Sequence, residues 1–99
     1  MPPMEIATLF GENLARCRKR AAMSQEELGV GASLHRTEIS QLERGLRVAR
    51  IDTLVKLAGA LGVSPCELIE GIEWSPGSTT AGQFMLAPGP QGRARQGPT

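Results

Sequence analysis

Residues that start and stop helices recur through the first 71 positions of this 99-residue chain. Ser24 is followed three residues later by Glu27, a capping-box pattern in which each side chain binds the other residue's backbone N–H. Ser64-Pro65 opens a later segment in a similar way, with proline at the first helical position. Glycines stand where three of the segments are expected to end: Gly45, Gly62 and Gly71. The apolar spacing between these signals predicts five helices, at about 5–22, 24–32, 35–44, 51–61 and 64–70.

The apolar content favours a helical core. Hydrophobic residues make up 40% of the chain, but only two Phe and one Trp are aromatic. The core must therefore be built from aliphatic side chains and methionine, which suits packed helices better than a sheet. We expect one compact all-α domain over residues 5–71. Its most regular helix has a broad predicted apolar face: Ile51, Leu54, Val55, Leu57, Ala58 and Leu61.

The composition changes after Trp74 to a segment rich in Gly, Pro, Ser, Thr and Gln. We interpret residues 72–99 as a C-terminal tail, with 75–99 flexible because it has no helical period. Two features leave alternatives open. Ile72 and Trp74 alternate with Glu73, and Phe84-Met85-Leu86 is a short apolar island. These would also fit two short β segments, or an arm that packs on a protein partner.

Several classes of protein find no support in the sequence. Cys17, Cys66 and His35 are the only cysteines and histidine, so neither a metal site nor a cofactor is predicted. No nucleophile–base pair or phosphate-binding loop indicates an enzyme. The N-terminus lacks the basic and apolar regions of a signal peptide, and no apolar run is long enough to cross a bilayer. We expect a cytoplasmic protein with reduced thiols and no membrane partner, with Cys17 as a core residue.

The predicted third helix has two chemically distinct faces. Ile39 and Leu42 form its apolar edge, with Glu43 beside them. The opposite side carries groups that can bind base edges and phosphates: Arg36, Thr37, Ser40, Gln41 and Arg44. Because the net charge is only +1, any positive surface must be local. The short second and third helices, joined by a tight turn at Ser33-Leu34, match a helix-turn-helix layout over about 24–44.

The chain resembles the phage repressor/Cro-type helix-turn-helix family, often called XRE-type, over roughly Phe10 to Ile69. Four motifs in this order and spacing carry the resemblance: Leu14-x-x-Cys17-Arg18-Lys19, Met23-Ser24-Gln25-Glu26-Glu27-Leu28, Ile39-Ser40-Gln41-Leu42-Glu43-Arg44-Gly45 and Leu54-Val55-Lys56-Leu57-Ala58-Gly59-Ala60-Leu61-Gly62-Val63. The resemblance implies a five-helix fold and sequence-specific binding of double-stranded DNA.

The resemblance also implies roles for individual residues. Arg18 and Glu43 correspond to a buried ion pair, and Gln25 to a phosphate contact at the start of the second helix. The base-reading positions correspond to His35, Arg36, Thr37, Ser40 and Gln41. Three arginines in or after the third helix are expected to contact phosphates: Arg44, Arg47 and Arg50.

Some residues depart from the family pattern. Gly29 and Gly31 replace helix-favouring residues, Ala22 stands where glycine is common, and Arg50 stands where a Ser or Thr cap is common. His35 stands where the family usually has a small polar residue at the start of the recognition helix. The departures leave the predicted fold intact.

Two functions fit these features. The first is a transcriptional regulator that inserts helix 35–44 into the major groove, as a homodimer on a two-fold operator with half-sites ~34 Å apart. The alternative is an antitoxin or adaptor module that binds a protein partner through its tail, with Ile72, Trp74 and Phe84-Met85-Leu86 as anchors.

Overall fold

The computed structural model describes residues 5–77 and 82–87, which form five helices followed by a two-stranded sheet. The helices are α1 Glu5–Arg20, α2 Gln25–Ala32, α3 Arg36–Glu43, α4 Ile51–Leu61 and α5 Pro65–Leu68. The strands are β1 Ile72–Ser75 and β2 Gln83–Leu86. None of the helices in the described residues is long and apolar enough to cross a membrane.

The helix ends follow the capping signals of the sequence. Ser24 accepts from the Glu27 N–H at 2.9 Å, and Glu27 accepts from the Ser24 N–H at 2.8 Å, so the predicted capping box is present. Gly62 ends α4 with a left-handed φ of +73°. α1 ends at Arg20, two residues earlier than predicted, and Ala22 after it has a φ of +59°. α5 is shorter than its predicted range, and Ser64 caps it by accepting from the Cys66 N–H.

The core is aliphatic, as its composition predicts, and lies between α1 and the four shorter helices. Phe10 is its buried aromatic residue, and Cys17 is buried beside it on α1. Burial raises the pKa of the Cys17 thiol, so the thiol stays protonated at neutral pH. Among the described residues, six large apolar side chains are almost entirely excluded from solvent: Leu14, Leu28, Ile39, Leu42, Leu57 and Leu68.

A buried asparagine on α1 also holds the end of the helical domain in place. The Asn13 amide donates to the backbone oxygens of Leu68 and Glu70, both at 3.0 Å, while its own oxygen accepts from Arg16 at 2.8 Å. The amide thus satisfies carbonyls that the short helix α5 leaves without helical partners. Sequence spacing does not reveal this contact, since the partners lie more than 50 positions apart.

The predicted apolar face of α4 is correct only in part. Leu57, Ala58 and Leu61 are buried, and Thr53 joins them. Ile51 and Val55 instead face solvent, with 78% and 57% of their surface exposed. Ile69, directly after α5, is likewise an exposed aliphatic residue.

The residues after α5 form two short β-strands, which is one of the alternatives that the sequence left open. β1 pairs with β2 in antiparallel register, with Ile72 opposite Leu86 and Trp74 opposite Phe84. The Trp74 and Phe84 rings meet edge to face, with centroids 5.1 Å apart. Ile72 packs against the helical core, whereas both aromatic rings remain half exposed. The remaining tail positions, predicted to be flexible, lie outside the described residues.

Candidate nucleic-acid interface

A tight turn with a close backbone approach sets the angle between α2 and α3. Ser33 ends α2 with a φ of +59°, and the Leu34 N–H donates to the Gly29 oxygen at 2.8 Å. A Cβ on Gly29 would lie only 2.6 Å from the Leu34 oxygen, so glycine is needed there for steric reasons. This explains one of the two glycines within α2 that depart from the family pattern. Leu34 is half-buried and packs on the core.

α3 begins one residue later than predicted, because His35 is its N-cap. The His35 Nδ1 accepts from the Thr37 N–H at 3.0 Å. An imidazole nitrogen that accepts a hydrogen bond carries no proton, so the cap uses the ring with Nδ1 unprotonated. His35 therefore fixes the start of α3 and leaves its ring exposed at that end.

The predicted ion pair of Arg18 and Glu43 is present and fixes the end of α3 to α1. It is bidentate, with Nε to Oε2 at 2.6 Å and Nη2 to Oε1 at 3.0 Å, and its side chains are only 13% and 7% exposed. The hydrogen bonds to Glu43 raise the pKa of Arg18, so the guanidinium remains charged. A third nitrogen of Arg18 donates to the Met23 oxygen, which reaches the segment before α2.

Gln25 belongs to the same network. Its side-chain amide donates to Glu43 Oε1 at 3.0 Å, so the start of α2 is joined to the end of α3 through one carboxylate. The backbone N–H groups of the first turn of α2 stay at the positive end of the helix dipole. The inward bond was not expected from the sequence, which suggested only a phosphate contact for Gln25.

The face of α3 opposite the core is polar. Ile39 and Leu42 are buried on one side, while Arg36, Thr37 and Arg44 are exposed on the other. Ser40 and Gln41 are half-buried between them. Within the described residues, the side chains of Arg36 and Arg44 have no hydrogen bond or ion pair. The structure thus brings the predicted third-helix residues to one exposed surface with two unpaired guanidiniums.

Arg47, in the connection after α3, folds back onto that helix. Its Nη1 donates to Gln41 Oε1 at 2.9 Å, and its Nη2 lies 4.0 Å from Glu38 Oε2. Glu38 is half-buried, and its carboxylate faces both this guanidinium and solvent. A contact between a loop and a helix six residues apart has no periodic signal in the sequence, so it could not be anticipated.

Arg50 does not join α3. It is the N-cap residue of α4 without a side-chain cap, and its Nε lies 3.2 Å from Asp52 Oδ1. Desolvation acts to raise the pKa of Asp52, but the Arg50 charge together with hydrogen bonds from the Thr53 N–H and the Arg50 side chain outweighs it, so the pKa is lowered. The predicted phosphate contacts thus have separate surroundings: Arg44 is exposed, Arg47 lies along α3, and Arg50 lies beside Asp52.

Within residues 5–77 and 82–87, no group of three His, Cys, Asp or Glu residues could hold a metal ion. Cys66 is exposed and Cys17 is buried, and both are free thiols.

Comparison with known proteins identifies the family. A helix-turn-helix family model, HTH_3, matches residues 14–68, which is more than half of the chain. The chain belongs to the HTH_3 helix-turn-helix family. This confirms the XRE-type resemblance, and the chain is a DNA-binding transcriptional regulator of helix-turn-helix type, not an enzyme.

Similar proteins share most of this family region. The control protein C.BamHI of Bacillus amyloliquefaciens is 42% identical over 66 residues, which cover 66% of this chain and 82% of that protein. The uncharacterized HTH-type transcriptional regulator y4dJ of Sinorhizobium fredii is 38% identical, over 77% of this chain and 99% of its own length. The crystal structure of the restriction-modification controller protein C.AhdI from Aeromonas hydrophila matches with a TM-score of 0.64 and 34% identity, over 66% of this chain and 94% of that one.

Proposed function

We propose that this regulator recognises a specific operator by placing α3 in the major groove, with α2 across the phosphate backbone. The observation that carries the proposal is the polar face of α3, which lies opposite Ile39 and Leu42 and has two arginines whose side chains have no hydrogen bond or ion pair to any described residue. The turn at Gly29 and the Arg18–Glu43 pair hold that face at a fixed angle to α2. A rigid helix–turn–helix pair is what reading a base sequence requires.

The exposed end of α3 supplies the base contacts in this proposal. Arg36 and Thr37 lie in its first turn, where a recognition helix meets base edges. Gln41 and Ser40 lie one turn further along the same side. A guanidinium can bind guanine O6 and N7 together, which makes Arg36 the residue with the most to contribute to specificity. His35 contacts DNA in this arrangement only through the part of its ring that does not cap α3.

The phosphate contacts come from both sides of α3. The N–H groups at the start of α2, beginning at Gln25, offer donors at a positive helix end. Arg44 lies at the other end of α3 and is free to reach a phosphate. Arg47 and Arg50 follow in the loop, and Arg50 would exchange Asp52 for a phosphate oxygen. Because 11 Lys and Arg residues are nearly balanced by 10 Asp and Glu residues, the net charge is only +1, and this local cluster must supply the attraction.

A homodimer completes the proposal. Ile51 and Val55 are four residues apart on α4 and therefore share one exposed side of that helix. Burying these side chains against a second copy would remove apolar surface from water. Two copies related by a two-fold axis would present two α3 helices to half-sites about 34 Å apart.

The relatives suggest which genes are controlled. C.AhdI is a restriction-modification controller protein, and C.BamHI is a control protein. We propose the same regulatory setting for this chain. The cheapest check is whether its gene lies beside reading frames for a restriction endonuclease and a DNA methyltransferase. An isolated gene with neither neighbour would contradict this part of the proposal.

Two arginine variants test whether α3 reads bases. Arg36→Ala should weaken binding to the operator by about 1–3 kcal/mol and affect random DNA much less, because it removes a base contact. Arg44→Ala, the matched control on the same helix, should weaken binding to both DNAs equally and lower the salt-dependence slope by about 1. Fluorescence anisotropy at several salt concentrations measures both effects. An equal loss on operator and random DNA for Arg36→Ala would rule out base reading by that residue.

A second candidate function rests on the antiparallel pair of strands β1 and β2, which form a hairpin. Trp74 and Phe84 are half-exposed aromatic residues, and both lie beyond the matched region 14–68. Aromatic side chains are common anchors of protein interfaces, so the hairpin fits an antitoxin or adaptor that binds a protein partner. A toxin-like reading frame next to this gene would favour that role. Its product should then copurify with the wild-type chain and not with the Trp74→Ser, Phe84→Ser variant; equal recovery with both would dismiss the hairpin as the anchor.

A further inference from the structure

We infer that Arg47 sets which bases Gln41 can read, by holding the Gln41 amide in one orientation. This inference rests on the proposed function, since it concerns a side chain placed at the base edges there. It gives Arg47 a different role from a simple phosphate contact. The observation behind it is the 2.9 Å hydrogen bond from Arg47 Nη1 to Gln41 Oε1.

A glutamine amide alone does not have a fixed donor–acceptor pattern. Rotation by half a turn about its last side-chain bond exchanges its oxygen and its NH₂ group. Arginine has only donors, so the amide atom facing the Arg47 guanidinium must be the oxygen. The flipped orientation would put two donors against each other. With its oxygen engaged, Gln41 has its two N–H groups left for another partner.

A second acceptor keeps the guanidinium in this position. Glu38 lies one helical turn before Gln41 on the same flank of α3, and its Oε2 is 4.0 Å from Arg47 Nη2. The Arg47 guanidinium therefore lies against one side of α3, between the Gln41 oxygen and the Glu38 carboxylate. The other loop arginine, Arg50, is turned to Asp52 and has no hydrogen bond or ion pair with α3 among the described residues.

The fixed amide predicts a base preference. In the major groove, guanine presents only acceptors, and thymine presents an acceptor beside its methyl group. Adenine is the usual partner of a glutamine that uses both its oxygen and its NH₂ group. Adenine also offers N7 as an acceptor, but a Gln41 amide restricted to donation loses the paired contact with adenine N6 and N7, and should therefore prefer a keto base, guanine or thymine. Without Arg47, the amide is free to bind adenine through both groups.

The test compares the DNA sequences that four full-length proteins select from a random pool. Gln41→Ala identifies the position that Gln41 reads, as the one whose preference disappears. At that position the wild-type protein should prefer a keto base, and Arg47→Met should shift the keto-to-adenine ratio toward adenine by about tenfold. Arg50→Met is the matched control, an arginine of the same loop without a hydrogen bond or ion pair to α3. It should lower overall affinity without changing the ratio.

The outcomes separate this inference from the proposed function. If the wild-type protein selects an operator but Arg47→Met only weakens binding equally to all sequences, Arg47 is a phosphate contact and the inference is wrong. The same conclusion follows if Gln41→Ala removes no base preference, or if Arg50→Met shifts the ratio as much as Arg47→Met. If the wild-type protein selects no sequence, the proposed function fails and the inference fails with it. A shift toward adenine that is specific to Arg47→Met supports it.

Discussion

Ala22 lies in a backbone conformation that favours glycine. Its φ of +59° is left-handed, which costs roughly 1–2 kcal/mol for a residue with a Cβ. Ala22 follows α1 directly, where helices often end on glycine, and the Ala22 N–H donates to the Lys19 oxygen. The departure from the family pattern noticed in the sequence therefore has an energetic consequence in the fold.

Replacing this alanine should stabilise the protein. Ala22→Gly removes the left-handed strain and adds chain entropy to the unfolded state, for a net gain of about 0.5–1 kcal/mol. Ala21→Gly is the control, since Ala21 is exposed like its neighbour but has no positive φ. Urea unfolding followed by circular dichroism measures both. If the unfolding free energy of Ala22→Gly were no higher than that of the wild-type protein, the claim that Ala22 is strained would be wrong.

Several residue roles could be predicted from the sequence and others could not. The Ser24 cap and the Arg18–Glu43 pair follow from local pattern and family position, and both are present. His35 was interpreted only as a base contact, because capping residues are usually Ser, Thr, Asp or Asn and an imidazole cap has no familiar signature. The Gln41–Arg47 bond depends on how a loop folds back, which no period in the sequence encodes.

At the scale of elements, one carboxylate joins three helices. Glu43 at the end of α3 accepts from Arg18 on α1 and from Gln25 at the start of α2. α3 is therefore held by charge-assisted hydrogen bonds as well as by Ile39 and Leu42. Loss of this carboxylate should affect the stability of the domain and the angle between α2 and α3 together.

Breaking the pair from one side should be costly. Glu43→Leu leaves the largely buried Arg18 guanidinium without its partner, and the unfolding free energy should fall by about 3–5 kcal/mol. The double variant Arg18→Met, Glu43→Leu should recover much of that loss, since no unpaired charge remains. The exposed pair of Arg20 and Glu67 is the control, where Glu67→Gln should cost less than about 1 kcal/mol. Equal costs at the two pairs, measured by denaturant unfolding, would show that burial is not decisive here.

Element boundaries were predictable where capping and apolar spacing agree. α4 spans its predicted range and α2 begins directly after its capping serine, because glycine, serine and periodic leucines mark these segments. The buried face of α4 was predicted to be broader than it is. Helical spacing shows that Ile51 and Val55 lie on an apolar face, but it does not show whether that face packs on the core of the same chain or is exposed to a partner. The hairpin was an open alternative because its two strands are four residues each and far apart in the tail.

For the molecule as a whole, α4 has an exposed apolar side at Ile51 and Val55 that no packing within the described part of the chain covers. Replacing both side chains, in Ile51→Ser, Val55→Ser, should weaken self-association by at least tenfold and leave the monomer folded, because neither side chain is in the core. Val30→Ser is the matched control, an equally exposed aliphatic residue on α2. Sedimentation equilibrium measures the association. Unchanged association of the α4 variant, or an equal effect of Val30→Ser, would place the interface elsewhere.

One end of the β1–β2 hairpin packs on the helical domain, and the other end is exposed to solvent. Ile72 packs on the core, and the Ala87 N–H donates to the Gly71 oxygen at 2.7 Å, so the base of the hairpin is part of the folded unit. Its far end carries Trp74 and Phe84 into solvent. Variants of these two rings therefore test a partner without removing the packing at Ile72, which a truncation after Gly71 would lose.

We expect α3 to read a base sequence as one of two copies on a two-fold site. The decisive experiment is selection of bound DNA from a random pool by the wild-type chain, followed by sequencing. The predicted result is a sequence repeated in inverted orientation, with repeat centres about one helical turn apart. Recovery of no enriched sequence, with equal affinity for selected and random DNA, would contradict it.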